Sequence, residues 1–287
     1  MSLRQPVVAA LAALLVGSLL VGCGGGAPLL HPAHTLPASA VTFAVGTSGH
    51  LALGGLATAT DALEGAGSVP GGLTTPAEQH AFVQGALTDF AVAPGVAPFV
   101  AARAGLGGHN EAGFAYTGRG IRLDGRHAFE WPSLALSLGA AVSGAFARPG
   151  DQPPDTPMQG EDAGLVGAEL NSLRGYGLEL PVVFGYRSEA DVVMLWVGAR
   201  AGLEFDTFDF TLVKTPQAVY GSSGDASRYW AGGLLGFAIG LHPIQVRAEL
   251  DVAYESVSGQ VDLGDGPVSA DVSGVSLTPA MAISAKF

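Results

Sequence analysis

Cysteine, lysine and charge are what this 287-residue sequence has least of: one Cys, two Lys, and a charged fraction of 13%. A single cysteine can form neither an internal disulfide nor a cysteine-ligated zinc site. A balance of 13 basic against 25 acidic residues, net −12, argues against a nucleic-acid partner. An apolar fraction of 48% excludes a disordered chain. Beyond the first two dozen residues no run of 18 apolar residues occurs, so no membrane-crossing helix is expected. G-x-S-x-G is missing, and neither a metal site nor a cofactor is indicated. Glycine is plentiful: 43 residues, about twice the usual share. So apolar a chain with so little charge fits a protein for which lipid is part of the solvent.

The N-terminus has the form of an export signal. Arg4 is the only charge before Asp61, and Val7–Val21 is an apolar stretch too short to span a bilayer. It ends in Leu20-Val21-Gly22-Cys23, which resembles the bacterial lipobox. That resemblance implies cleavage of residues 1–22 and lipid attachment at Cys23. Gly24, in place of an Asp, leans towards outer-membrane sorting. Acylation by two or more chains anchors stably without a spanning helix. Residues 23–40 are rich in Gly and Pro and carry no charge, which predicts a tether. His31 and His34 within it are not expected to bind metal. Residues 41–95 are expected to form a periplasmic or barrel-associated segment. Thr75-Pro76-Ala77-Glu78 has the signature of a helix start, with a helix running to about Leu87. A strand over 82–92 is the competing reading.

From residue 96 the period is two. In 244–254 one row reads Ile244, Val246, Ala248, Leu250, Val252, Tyr254, and the other Gln245, Arg247, Glu249, Asp251, Ala253, with Glu255 continuing it. Successive strand side chains point to opposite faces, so this strand separates an apolar medium from a polar one. The last strand alternates likewise, and Met281, Ile283, Ala285 and Phe287 resemble the C-terminal signal of bacterial outer-membrane β-barrels. The resemblance implies recognition by the barrel-assembly machinery, outer-membrane lipid around the wall, and an all-β, closed antiparallel transmembrane barrel. Counting back gives eight strands over 96–287, with 111–128 as one strand containing a bulge at Gly120 or as a hairpin turning at 118–120. Ten strands follow if 41–46 and 82–92 join the wall. Short turns at 130–132, 188–190 and 242–243, and long loops at 148–176, 206–227 and 257–272, fit short periplasmic turns and long external loops. Two aromatic girdles are expected: Phe129, Trp131, Tyr186 and Phe287 at one edge, and Phe205, Phe208, Tyr229, Trp230 and Tyr254 at the other.

The polar parity places Arg103, Glu111, Arg119, Arg122, Asp124, Arg126, Glu179, Arg200, Glu204, Arg247, Glu249, Asp251 and Glu255 in the lumen. Buried charges need partners, so a salt-bridge network closing the lumen is expected, with a narrow ion path as the alternative. Acidic external loops offer a weaker expectation of divalent-cation bridging to lipid. His109 is expected at an external turn, and His127 and His242 at the periplasmic side. No His-x-Ser motif of the lipid-deacylating barrels is present. The sequence therefore indicates a non-enzymatic, lipid-anchored outer-membrane barrel. Its role is structural, or it displays loops to envelope partners that the sequence does not identify; a pore is the alternative.

Overall fold

The computed structural model describes residues 24–66, 75–146, 167–215, 218–241, 243–263 and 266–287. Cys23 and the export-signal residues lie outside them, as do His242 and the whole acidic 148–166 stretch. The elements in chain order are β1 (Val41–Leu53), α1 (Gly55–Ala66), α2 (Pro76–Leu87), a π-helical turn (Thr88–Val92), β2 (Gly95–Gly107), β3 (Asn110–Tyr116), β4 (Gly120–Glu130), β5 (Leu134–Ala145), β6 (Gly167–Arg187), β7 (Val193–Thr215), β8 (Ala218–Leu241), β9 (Ile244–Asp262) and β10 (Pro267–Lys286). All ten strands pair antiparallel with their neighbours, and β1 closes the barrel against both β2 and β10.

The eight-strand count is thus corrected to ten, by 41–46 joining the wall as considered and by a hairpin turn at 118–120, but not by 82–92. Val41–Leu53 is a full wall strand, with Val45 opposite Ile283 and Val100. The 111–128 stretch is a hairpin: Thr117 N–H donates to Gly120 O (3.1 Å), and Gly118 turns the chain at φ +80°. A left-handed φ is costly for any residue with a Cβ, so the tight turn falls on glycine. Residues 82–92 are helical instead. The Thr75 side chain accepts from Glu78 N–H, the Glu78 carboxylate accepts from Thr75 N–H, and Pro76 opens the helix.

The connections at 107–110, 130–134, 187–193 and 241–244 lie at the same end as Phe287. His109 therefore sits at this end, not at an external turn; its Nδ1 is 3.7 Å from Glu130. The opposite end carries α1, α2 and the π turn, so residues 54–66 and 75–94 lie away from these short turns. The stretches 206–215 and 218–227, and 257–262 and 267–272, are not loops. They continue the wall as paired strands, with β6–β7 and β8–β9 joined there as well as β7–β8 and β9–β10.

Why these strands continue is legible in their faces. On β7 the outward residues Leu195, Val197 and Leu203 give way to Thr207 and Asp209, while inward Glu204 and Asp206 give way to buried Phe208 and Phe210. On β9, outward Leu250, Val252 and Tyr254 are followed by Ser258 and Gln260, and inward Glu255 by buried Val257 and Val261. Parity is kept, but the apolar row changes sides. Below the change the wall is apolar outside; above it the wall is apolar inside, where it covers the helices. Phe82, Val83, Leu87 and Phe90 pack there with Phe208, Phe210, Val257, Val261 and Val272. Tyr176, Tyr229 and Tyr254 mark the change on the outside, and Phe43, Phe129, Trp131, Tyr186 and Phe287 the other rim. Phe208 and Trp230, expected in the upper girdle, point inward instead: Phe208 into the cap core and Trp230 beneath the Arg228 guanidinium, 4.9 Å from the ring centre.

Candidate functional site

The barrel interior holds the candidate site, and part of it is the chain's own N-terminal segment. Residues 24–36, expected to be a tether, run through the lumen without regular secondary structure. Gly25 N–H donates to Ala93 O (3.1 Å) at the capped end, and Leu36 N–H donates to Glu111 Oε2 (2.8 Å) towards the Phe287 end. The chain then turns at exposed Pro37–Ser39 and enters β1.

Wall side chains bond many main-chain groups of this segment. Glu249 Oε1 and Oε2 accept from Leu29 N–H (2.6 Å) and Leu30 N–H (3.0 Å). Glu130 Oε1 accepts from both the N–H (2.7 Å) and the hydroxyl (2.8 Å) of Thr35. Arg200 donates to Ala27 O (2.6 Å), Arg247 to Leu30 O (3.1 Å), and Arg126 to Pro32 O and to His34 O (3.0 Å). Ser48 donates to Gly26 O (2.8 Å). A buried segment without ladder or helix partners leaves its N–H and C=O groups unpaired, at a cost of about 1–3 kcal/mol each; carboxylates and guanidiniums here take the place of many of those partners. Side chains fill the rest. Leu29 and Ala33 pack with Val183, Trp196 and Leu234, and Leu30 with Ala44, Phe99 and Ala282. Gly236 lies against the Trp196 ring, where a Cβ would collide with it.

Each lumen charge expected from sequence points inward. They form three tiers. Near the Phe287 end, Arg103 binds Glu111 and, with both terminal nitrogens, Asp124 (2.6 and 3.2 Å); Arg126 also binds Glu111 (2.9 Å). At mid-height, Arg200 reaches Asp251 (3.1 Å) and Glu179 (3.5 Å), and Arg122 reaches Glu179 (3.6 Å). Under the cap, Arg119 faces Asp206 (3.6 Å), and Arg228 binds Glu255 (2.8 Å) and Glu204 (3.2 Å). Arg119 and Arg228 also donate to Ala91 O, at 3.0 and 3.1 Å, so two cations sit at the C-terminal end of the helical cap, where carbonyls are unpaired. A cavity of about 80 Å³ lies between the upper two tiers.

Sequence reasoning missed Arg228, His50, Asp206 and Trp196. Arg228 and Asp206 obey the parity of their strands, but Asp206 falls in a stretch that reads as a loop. His50 lies on β1, whose upper half is too mixed in polarity to read as a strand. His50 Nε2 and Ser276 Oγ both bond Glu255 Oε1, at 3.0 and 2.5 Å. Imidazole and hydroxyl therefore share one acceptor, and no nucleophile–base pair is assembled there. His31 and His34 are buried in the lumen; His31 Nδ1 faces Arg126 at 2.9 Å. Among the described residues no three His, Cys, Asp or Glu side chains come together as a metal site. No helix among them is long and apolar enough to cross a membrane.

No protein-family model matches the chain. No curated protein matches it either. Among solved structures it is similar to a major outer membrane protein from Thermus thermophilus, at 11% identity and a TM-score of 0.37, covering 86% of this chain and 99% of that one.

Proposed function

We propose that the chain is a non-enzymatic outer-membrane β-barrel of the cell envelope whose lumen is stoppered by its own residues 24–36. The observation that carries this reading is the exchange of apolar and polar faces on β7, β9 and β10. An outward apolar band of 11 residues on β9, Ile244–Tyr254, ends where the outward side chains become Ser and Gln. Tilted membrane strands need about 9–11 residues, and a soluble barrel has no reason to change sides at one height. Short turns at the Phe287 end support a periplasmic position for that end and an external one for the helical cap. The outward row Met281, Ile283, Ala285 and Phe287 supports handling by the barrel-assembly machinery, and Leu20-Val21-Gly22-Cys23 supports lipid attachment at Cys23.

The threaded segment makes the resting barrel non-conducting. The test is planar-bilayer recording of full-length protein carrying a protease site within exposed 37–39. Uncut protein is expected to be silent; stable openings from it would remove the stopper reading. A latent pore is the second reading. It is favoured by the segment having no secondary structure of its own and being held to the wall by side-chain hydrogen bonds. Openings that arise only after the cut fragment is washed out at high salt would establish it.

A further inference from the structure

We propose that the mouth at the Phe287 end is an oxyanion-binding site centred on Arg247. A cavity of about 230 Å³ opens there between the threaded segment and the ends of β1, β9 and β10. That is nearly eight times the roughly 30 Å³ a water molecule occupies in the liquid, ample for a phosphate- or carboxylate-sized ion with some of its hydration.

The charges around it do not cancel. Arg103 and Arg126 are spent on Glu111 and Asp124. Arg187 is paired with Asp191 at 3.4 Å. Arg247 and Lys286 remain. Arg247 is 6% exposed, gives one N–H to Leu30 O (3.1 Å), and has no hydrogen-bond partner for Nε. Among the described residues no carboxylate lies within ion-pair distance of Arg247 or Lys286. Glu189, the remaining acid at the cavity, is solvent-exposed and unpaired among those residues.

A buried guanidinium without a counter-charge is destabilising, and every other inward arginine among the described residues has a carboxylate partner. Arg247 instead lines a cavity that also holds the free Lys286 ammonium and the Thr42 hydroxyl. A planar guanidinium next to a point cation is the donor set that oxyanions favour, with Arg taking two oxygens and Lys a third. The register supports convergence: Arg247 is opposite Ala282 on β10, Lys286 is opposite Thr42 on β1, and all four are inward positions. The ligand is a phosphate-type oxyanion, free or carried on a lipid headgroup at the nearby membrane surface.

The test uses full-length protein in a neutral detergent at constant ionic strength. Thermal melting is followed against inorganic phosphate in one arm and against phosphatidylglycerol in mixed micelles in the other, with uncharged lipid as control. A saturable rise in melting temperature of several degrees is expected in at least one arm. It should be lost in Arg247→Met, weakened several-fold in affinity in Lys286→Gln, and unchanged in Glu189→Gln. The responding arm identifies the source of the phosphate. If Arg247→Met does not fold, Lys286→Gln and calorimetric titration of the wild type with phosphate decide alone. No saturable response in either arm, or an equal response in wild type and Lys286→Gln, overturns the site.

Discussion

Glu249 holds two consecutive main-chain N–H groups of the threaded segment, Leu29 and Leu30, one on each carboxylate oxygen, and its Oε2 also accepts from Trp196 Nε1 (2.8 Å). In Glu249→Gln an acceptor oxygen becomes an NH₂ group facing a donor. Losing a buried hydrogen bond to a charged group costs about 1.5–3 kcal/mol, or on the order of ten- to a hundred-fold in retention of the segment. The expected outcome is measured on protein cut within 37–39. The N-terminal fragment stays with the wild-type barrel through washing and leaves the variant, with a change in Trp196 fluorescence. Equal retention would show that the leucine contacts, not the carboxylate, hold the segment.

The exchange of faces yields a paired prediction. Leu250 and Ser269 both point outward, Leu250 below the change and Ser269 above it. A lysine on the lipid face costs about 2–4 kcal/mol at the bilayer midplane and little beyond the interface. Leu250→Lys should therefore sharply reduce folding into liposomes, read as heat-modifiable gel mobility, while Ser269→Lys folds like wild type. Equal tolerance of both would mean that the outward band does not face lipid.

Much of this was legible in the sequence, for reasons that also mark its limits. Arg247, Glu249 and Asp251 share a face because strand parity is rigid, and the same parity assigned all the interior charges named from sequence. It failed at 206–215 because the alternation continues there with its meaning reversed: Phe208 and Phe210 face helices instead of lipid. Residues 24–36 were opaque for a different reason. Their binding groups are main-chain N–H and C=O, which every sequence has, so an uncharged Gly/Pro-rich strand in a lumen reads like a solvated tether. The strand count failed twice: at 118–120, where a glycine at a parity change serves a bulge or a turn equally well, and at β1, whose mixed upper half hid a full wall strand.

The cap should be separable from the wall. Phe90 is buried against Phe208 and Phe210, ring centres 5.0 and 5.8 Å away. Phe90→Ala leaves a cavity costing about 3–5 kcal/mol. The expected result is faster proteolysis between β1 and β2 with heat-modifiable mobility retained, since the strand ladders below the cap are untouched. Simultaneous loss of both would tie cap docking to closure of the barrel.

The proposed lipid attachment at Cys23 and the threaded segment make competing demands on residues 24–40. Gly24 is buried beside Ala93 and Pro94 at the capped end. With the Phe287 end in the periplasm, a lipid in the periplasmic leaflet would require the segment to leave the lumen. Length does not forbid this: about 17 residues reach about 56 Å when extended, more than the roughly 30 Å hydrocarbon core. Energetics does oppose it, because withdrawal exposes Leu29 and Leu30, at about 1.5–3 kcal/mol each, and strips the partners from Glu249 and Arg126. The threaded state is therefore expected to persist whether or not Cys23 is acylated. Cys23→Ala should abolish lipid labelling, yet after a cut within 37–39 the N-terminal fragment should remain with the barrel in both proteins. A fragment that separates in the wild type and stays in Cys23→Ala would show instead that the lipid pulls the stopper out.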